Sequence, residues 1–275
     1  MTDLPRFPTT LRIVTFNLLN DSTHWAERAP LIVEGLRSLQ PDVIALQEVR
    51  LPDNNAAWIA DRLEGYETLL CPKTGPLRLI EGEALLSRLP VEEHAALAFR
   101  RQGRVAHRIT VRTSAGPCVI CNAHLFFSAF NDVTRRFHVQ RLLRWLPAGM
   151  PTVVCGDFNA EPSYASIGLM RRHFRSAYAT AHGAEPAFTC PTPLDRGPGI
   201  HHSVRRLALR LLGYVLRPGQ SSWRGTLDYI FVSPEIQVDR CELVLNAPDP
   251  ANPSIYPSDH MGLMATLRVP EGSPS

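Results

Sequence analysis

GDFN at positions 156–159 places an aspartate and an asparagine two residues apart at the end of the apolar run TVVC. On an extended strand that spacing puts Asp157 and Asn159 on one face, where a carboxylate and an amide can together hold a water and an anionic oxygen. Chemistry-bearing side chains meet apolar runs elsewhere too: Asn17 follows LRIVTF, Glu48 follows DVIALQ, and His124 follows CVICNA. Asp228 opens DYIFVS, and Asp259 with His260 precedes MGLMATL. Attack of water on phosphorus assisted by Mg²⁺ or Mn²⁺ needs this assortment: hard oxygen ligands, a base or orienting group for water, and donors for phosphate charge. Taken singly, each is an ordinary helix cap, solvated loop residue or satisfied core histidine. Six such placements in order form a set. Asp259 and His260 are adjacent and would face opposite ways in a regular strand, so shared chemistry puts them in the loop before it.

The elements that must position these residues read as follows. Strands are expected at 11–19, 42–49, 83–88, 105–113, 118–125, 152–159, 227–233, 238–245 and 260–269, from apolar runs rich in β-branched residues. Helical periodicity covers 27–39, 54–63, 131–146 and 164–173. Strands at 83–88, 105–113 and 118–125 follow one another with no helix between them, which argues against a purely parallel sheet. The expectation is α/β, with two mixed β-sheets packed face to face and helices outside. Residues 11–269 form the expected single domain, after an N-terminal extension at 1–10 and before a disordered tail at 270–275.

The bulk numbers narrow the classes. At 275 residues, 44% hydrophobic and 20% charged, the chain can bury a core without staples. A net charge of +3 is too small to mark a dedicated nucleic-acid binder, and it does not repel anionic substrates. MTDLPRFPTT lacks the apolar core of a signal peptide, and no run of apolar residues is long enough to span a bilayer. A soluble, cytoplasmic protein is expected. Cys118 and Cys121 form a CxxC inside a strand, where residues three apart face oppositely; buried free thiols fit better than a zinc or redox pair.

In this order, TFNLLN, ALQEV, EGEALLSRLP, NAHL, GDFNAEP, LDYIFVS and PSDHMGL resemble the motifs of the endonuclease/exonuclease/phosphatase superfamily. That group includes pancreatic-type deoxyribonuclease, apurinic endonucleases, sphingomyelinases, deadenylases and inositol polyphosphate 5-phosphatases. The resemblance runs from about residue 11 to 268 and implies a four-layer α/β sandwich, in accord with the mixed-sheet reading. It implies a cofactor, Mg²⁺ or Mn²⁺, with Glu48 as its principal ligand. Asn17 would hold the metal's surroundings or a phosphate oxygen, and Asp259 would bind the metal or steer His260. Asp157 would orient or deprotonate the attacking water, with Asn159 positioning the phosphate. His260 would donate to a phosphate oxygen, with Asp228 fixing its tautomer. His124 matches a histidine near the leaving group, supported by a glutamate for which Glu81 is the candidate and Glu83 the alternative. Leu19 stands where apurinic endonucleases carry an acidic residue, which argues against that branch; TFNLL and GDFNAEPS are more similar to the sphingomyelinase and deadenylase branches.

The function expected is a metal-dependent hydrolase that cleaves a phosphodiester by in-line attack of water, on a nucleic acid or a phospholipid head group. The alternatives are a phosphomonoesterase on an inositol or sugar phosphate, and a non-catalytic binding module on the same fold. Partners follow: a phosphate-ester substrate, and a nucleic acid or anionic lipid surface for any basic patch. Arg100, Arg101 and Arg104 form one such cluster, Arg135, Arg136 and Arg141 line a helix, and Arg205, Arg206, Arg210 and Arg217 punctuate an apolar segment; a solvated basic face or a cover for core surface is the default. Trp223 and Tyr214 could stack bases but sit by apolar runs, and His201–His202 lack further ligands for a metal.

Overall fold

Along β1 (Leu11–Asn17) the side chains alternate between two cores, and that alternation explains the architecture. Leu11 and Ile13 enter an apolar layer with Val43, Ala45, Leu85, Ile109, Ile120, Val153 and Ile230. Val14 and Phe16 point the other way, into a layer with Ile32, Leu36, Ile44, Leu46 and Ile59. A strand apolar on both faces must be covered on both. The computed structural model describes residues 10–99, 101–128, 132–195, 197 and 223–270.

Two six-stranded sheets share the first of these cores. One contains β1, β2 (Val43–Arg50), β3 (Glu67–Pro72), β4 (Glu81–Ser87), β11 (Gln237–Val244) and β12 (Gly262–Arg268), in the order β11-β12-β1-β2-β4-β3. The other contains β5 (Val91–Ala98), β6 (Val105–Thr113), β7 (Gly116–His124), β8 (Thr152–Asp157), β9 (Arg175–Ser176) and β10 (Asp228–Val232), in the order β5-β6-β7-β8-β10-β9. Each sheet holds one parallel pair at its centre, β1 with β2 and β7 with β8, and its other pairings are antiparallel. Both sheets are therefore mixed, as expected.

α1 (Trp25–Leu39) and α2 (Asn55–Leu63) cover the outer face of the first sheet, supplying Ile32, Leu36, Ala56 and Ile59. α3 (Asp132–Trp145) and α4 (Ala165–Met170) cover the second, with Val139, Leu142, Ile167 and Met170 against Phe158, Tyr229 and Phe231. α5 (Ala177–His182) closes one edge, with Ala177 in the shared core. The result is four layers, helices outside and sheets inside.

The elements missing from the sequence reading are β3, β5, β9 and α5, with a 3-10 turn at Gly75–Leu79. β3 and β5 are edge strands, and β5, VEEHAALA, is mostly exposed and built of residues with weak strand preference. Cys118 and Cys121 fall in different cores, and all six cysteines are buried and outside any disulfide. Among the described residues no helix is long and apolar enough to cross a membrane. His201, His202, Tyr214, Arg100, Arg205, Arg206, Arg210, Arg217, most of the N-terminal extension and nearly all of the tail lie outside the described residues.

Candidate active site

On the face shared by the two sheets, every central strand turns from apolar to polar as it reaches one rim. β1 runs Leu11, Ile13, Thr15, Asn17; β7 runs Cys118, Ile120, Asn122, His124; β8 runs Val153, Cys155, Asp157. β4 runs antiparallel and reads the same way in reverse, Glu81, Glu83, Leu85. Thr15, Asn17, Glu83, Asn122 and His124 are each 0% exposed, so each needs a partner. Gln47 on β2 serves two of them: its amide donates to Thr15 Oγ1 at 3.0 Å and across the sheets to Asn122 Oδ1 at 2.8 Å.

Strand register then aligns the catalytic candidates. His124 of β7 pairs with Asp157 of β8, and Asp157 pairs with Asp228 of β10. Three neighbouring strands thus present these side chains side by side. Asn17, from the opposite sheet, donates Nδ2–H to Asp157 Oδ2 at 3.1 Å. His124 Nε2 lies 3.5 Å from the same oxygen. β8 ends at Asp157, so Asn159 does not share a strand face with it. Instead Asn159 takes φ 49° and its N–H donates to Asp157 Oδ1 at 2.8 Å, which keeps both at the site by a turn.

Asp259 and His260 lie in the loop before β12, as their adjacency required. His260 Nδ1 is 2.9 Å from Asp228 Oδ2, whose oxygen also accepts from Thr189 Oγ1 at 2.6 Å. That carboxylate fixes the imidazole and leaves Nε2 as the outward nitrogen. Burial works against charge on His260. Cys190, Asp228 and Asp259 outweigh it and push the pKa well above the usual imidazole range. Asp157 is raised to about 7, chiefly by burial and then by Asp228. His124 is pushed well below the usual range by burial, Arg104 and Lys73; it is the neutral histidine.

Glu48, Glu81 and His124 bring one donor atom each to within 4.8 Å of one another. A register shift in β2 between Leu46 and Val49, with Glu48 at φ 57°, turns this carboxylate out of the sheet. Asn20 ties the pair together: its N–H donates to Glu48 Oε2 at 2.8 Å and its amide to Glu81 Oε2 at 3.0 Å. Two carboxylates at one spot, one of them half-buried and open to water, fit a hard divalent cation. The glutamate on His124 Nδ1 is Glu83, at 3.2 Å, not Glu81. Glu81 instead pairs with Lys73. Both glutamates share a strand face, two residues apart, and depth decides: Glu83 sits level with the buried histidine and Glu81 at the rim.

Arg104 and Arg135 depart from the reading of solvated basic faces, and Lys73 and Arg28 are buried as well. Arg104 is only 8% exposed and its guanidinium meets His124 Nε2. Lys73, which the sequence reading passed over, is 4% exposed against Glu81. Arg135 is fully buried and clamps the loop after β7, donating to Phe126 O at 3.4 Å and Ser128 O at 2.5 Å. Arg28 of α1 does the same for two rim loops, reaching Leu18 O, Asp21 O at 3.1 Å and Pro257 O at 3.0 Å. Periodicity alone could not find these, because burial of a charged head depends on carbonyls from distant loops. Trp223 is buried with Cys190 and Leu227, in keeping with a core role.

The chain is similar to known proteins over most of its length. Human Nocturnin is 25% identical to the chain over 99% of it and 68% of that protein, and Drosophila melanogaster Nocturnin 28% identical over 89% and 42%. The chain thus spans between under half and about two thirds of these relatives. Among solved structures, the human Nocturnin catalytic domain with bound sulfate has a TM-score of 0.71 at 24% identity, covering 94% of this chain and 93% of that one. D. rerio TDP2 complexed with single-strand DNA product has a TM-score of 0.74 at 17% identity, covering 94% and 99%. With residues 14–260 matching its model, the chain belongs to the Endonuclease/Exonuclease/phosphatase family.

Proposed function

We propose that this family hydrolase is a divalent-metal-dependent phosphodiesterase acting on a nucleic acid or a related phosphodiester. The observation that carries the reading is the meeting of Asp157 with Asn17 from the opposite sheet, His124 and Asp228 from neighbouring strands, and the Asp228–His260 pair. The Nocturnin catalytic domain solved with a bound sulfate anion and TDP2 solved with a single-strand DNA product support the substrate class. Glu48 and Glu81 would hold Mg²⁺ or Mn²⁺, which when bound offsets charge on the phosphate oxygens.

Asp157 accepts the proton of the attacking water, and a pKa of about 7 matches that task near neutral pH. Asn17 and the Asn159 N–H hold its two oxygens and set its direction. His260, kept cationic by Cys190, Asp228 and Asp259, donates to a phosphate oxygen, where charge-assisted hydrogen bonds are strongest. Neutral His124, held by Glu83 and Arg104, lines the pocket beside Asp157. Asp259 steers the His260 loop, and Arg104 and Lys73 balance phosphate charge.

Those two buried cations favour a second reading. A terminal phosphate carries about −1.5 to −2 charge at pH 7, more than a diester, and Lys73 with Arg104 would suit it. The test is a panel with added Mg²⁺ or Mn²⁺: single- and double-stranded nucleic acid, sphingomyelin, inositol phosphates and a sugar monophosphate. Diester cleavage stopped by EDTA is expected. Phosphate release from monoesters alone would turn the assignment to the second reading, and no turnover with any of them would overturn both.

A further inference from the structure

A second donor set, softer than the glutamate pair, converges on His260. From it we propose that Cys190, Asp259 and His260 form a zinc site whose occupation inhibits the enzyme; the inhibition, though not the site, rests on the hydrolase reading above. One donor atom from each residue lies within 4.8 Å of the others. Cys190 is 3% exposed, Asp259 3% and His260 5%. Zn²⁺ favours thiolate sulfur, imidazole nitrogen and carboxylate oxygen in a tetrahedron, with water at a fourth place. A sulfur donor disfavours Mg²⁺, so the set selects against the cation suited to Glu48 and Glu81.

The cysteine is placed by backbone pairing rather than by chance packing. Segment 189–192 runs between the loop entering β10 and the loop entering β12. Cys190 exchanges backbone hydrogen bonds with Gly225, at 2.8 and 3.1 Å, while Thr192 N–H donates to Asp259 O and Met261 N–H to Thr189 O, both at 2.8 Å. This double zipper seats Cys190 between the segments that carry Asp228 and His260. Behind the histidine, Asp228 already holds Nδ1 at 2.9 Å; zinc-bound imidazoles carry such a carboxylate on the nitrogen away from the metal. Among the described residues, no other cysteine belongs to a three-donor group of this kind.

Binding forms bonds from zinc to sulfur, imidazole nitrogen and carboxylate oxygen, and releases to solvent the thiol proton and any proton on His260 Nε2. The donor that His260 would offer to a phosphate oxygen is then occupied. Cobalt(II) is the direct probe, because thiolate ligation gives an intense near-ultraviolet charge-transfer band. That band is expected in the wild-type protein, displaced by Zn²⁺ and absent in Cys190→Ser and Cys190→Ala. Relative to each protein's own zinc-free rate with excess Mg²⁺, Cys190→Ser should need about tenfold or more Zn²⁺ for half-inhibition. No band in folded wild-type protein, or equal zinc sensitivity in the folded variants, overturns the site. A band without turnover of any phosphate ester would uphold the site and overturn the hydrolase reading; turnover without a band would do the reverse.

Discussion

A carboxylate with both oxygens in use is a poor place for chance. Asp157 Oδ1 accepts from the Asn159 N–H and Oδ2 from Asn17, so its direction is fixed before any substrate arrives. Replacing it with alanine should cost ~10²–10⁴-fold in kcat, the usual weight of a positioned general base, with the fold intact by circular dichroism; full activity in Asp157→Ala would remove it from the mechanism. The two neighbouring glutamates separate by assay. Glu81→Gln weakens the rim carboxylate pair with Glu48 and should raise the Mg²⁺ needed for half-activation about tenfold or more. Glu83→Gln touches His124 and should lower kcat with that concentration unchanged; the opposite pattern would reverse their roles. The motif residues were readable because each borders an apolar run. The choice between Glu81 and Glu83 was not, since both sit on the same strand face and only depth in the fold distinguishes them.

At the scale of elements, backbone shape sets the site. Gly156 adopts φ 133°, and a Cβ built there would fall 2.0 Å from Ala123 O on the paired strand. Gly156→Ala should therefore push β8 from β7 exactly where Asp157 and His124 lie in register, losing about 3 kcal/mol of stability and most activity; a urea midpoint unchanged from wild type would contradict this. Glu48 carries a comparable device, a left-handed residue within a register shift, as strain at functional sites often appears. Strand centres were legible from apolar runs, and their ends within a residue or two. The edge strands β3 and β5 were not, because an edge needs no continuous apolar signal. Nor was the turn that holds Asn159, which requires seeing where β8 stops.

For the molecule as a whole, two sheets meet on a face that is apolar at one end and polar at the other, and the polar end is linked across the layers through Thr15, Gln47, Asn122, His107 and His94. The layer count was legible from the order of strands and helices; the polar seam was not, since its members lie on five strands of two sheets. His107 titrates near 6.5 when unfolded, but burial, and then His94, hold it to about 3 in the fold. Between those values the unfolded chain binds the proton and the folded chain does not, so this group weakens the fold as pH falls, by about 2 kcal/mol at pH 5. Urea midpoints at pH 7 and pH 5 should therefore differ less in His107→Asn than in wild type; equal differences would deny the seam this role. On the proposed reading, Glu48 and Glu81 from one sheet hold a cation beside His124 and Asp157 from the other. Mn²⁺ binding followed by electron paramagnetic resonance, in wild type and in Glu48→Gln/Glu81→Gln, tests it most directly. Wild-type protein should bind Mn²⁺ and cleave a phosphodiester in proportion to occupancy, while the double variant does neither; equal binding by both, or cleavage that persists in EDTA, would contradict the account.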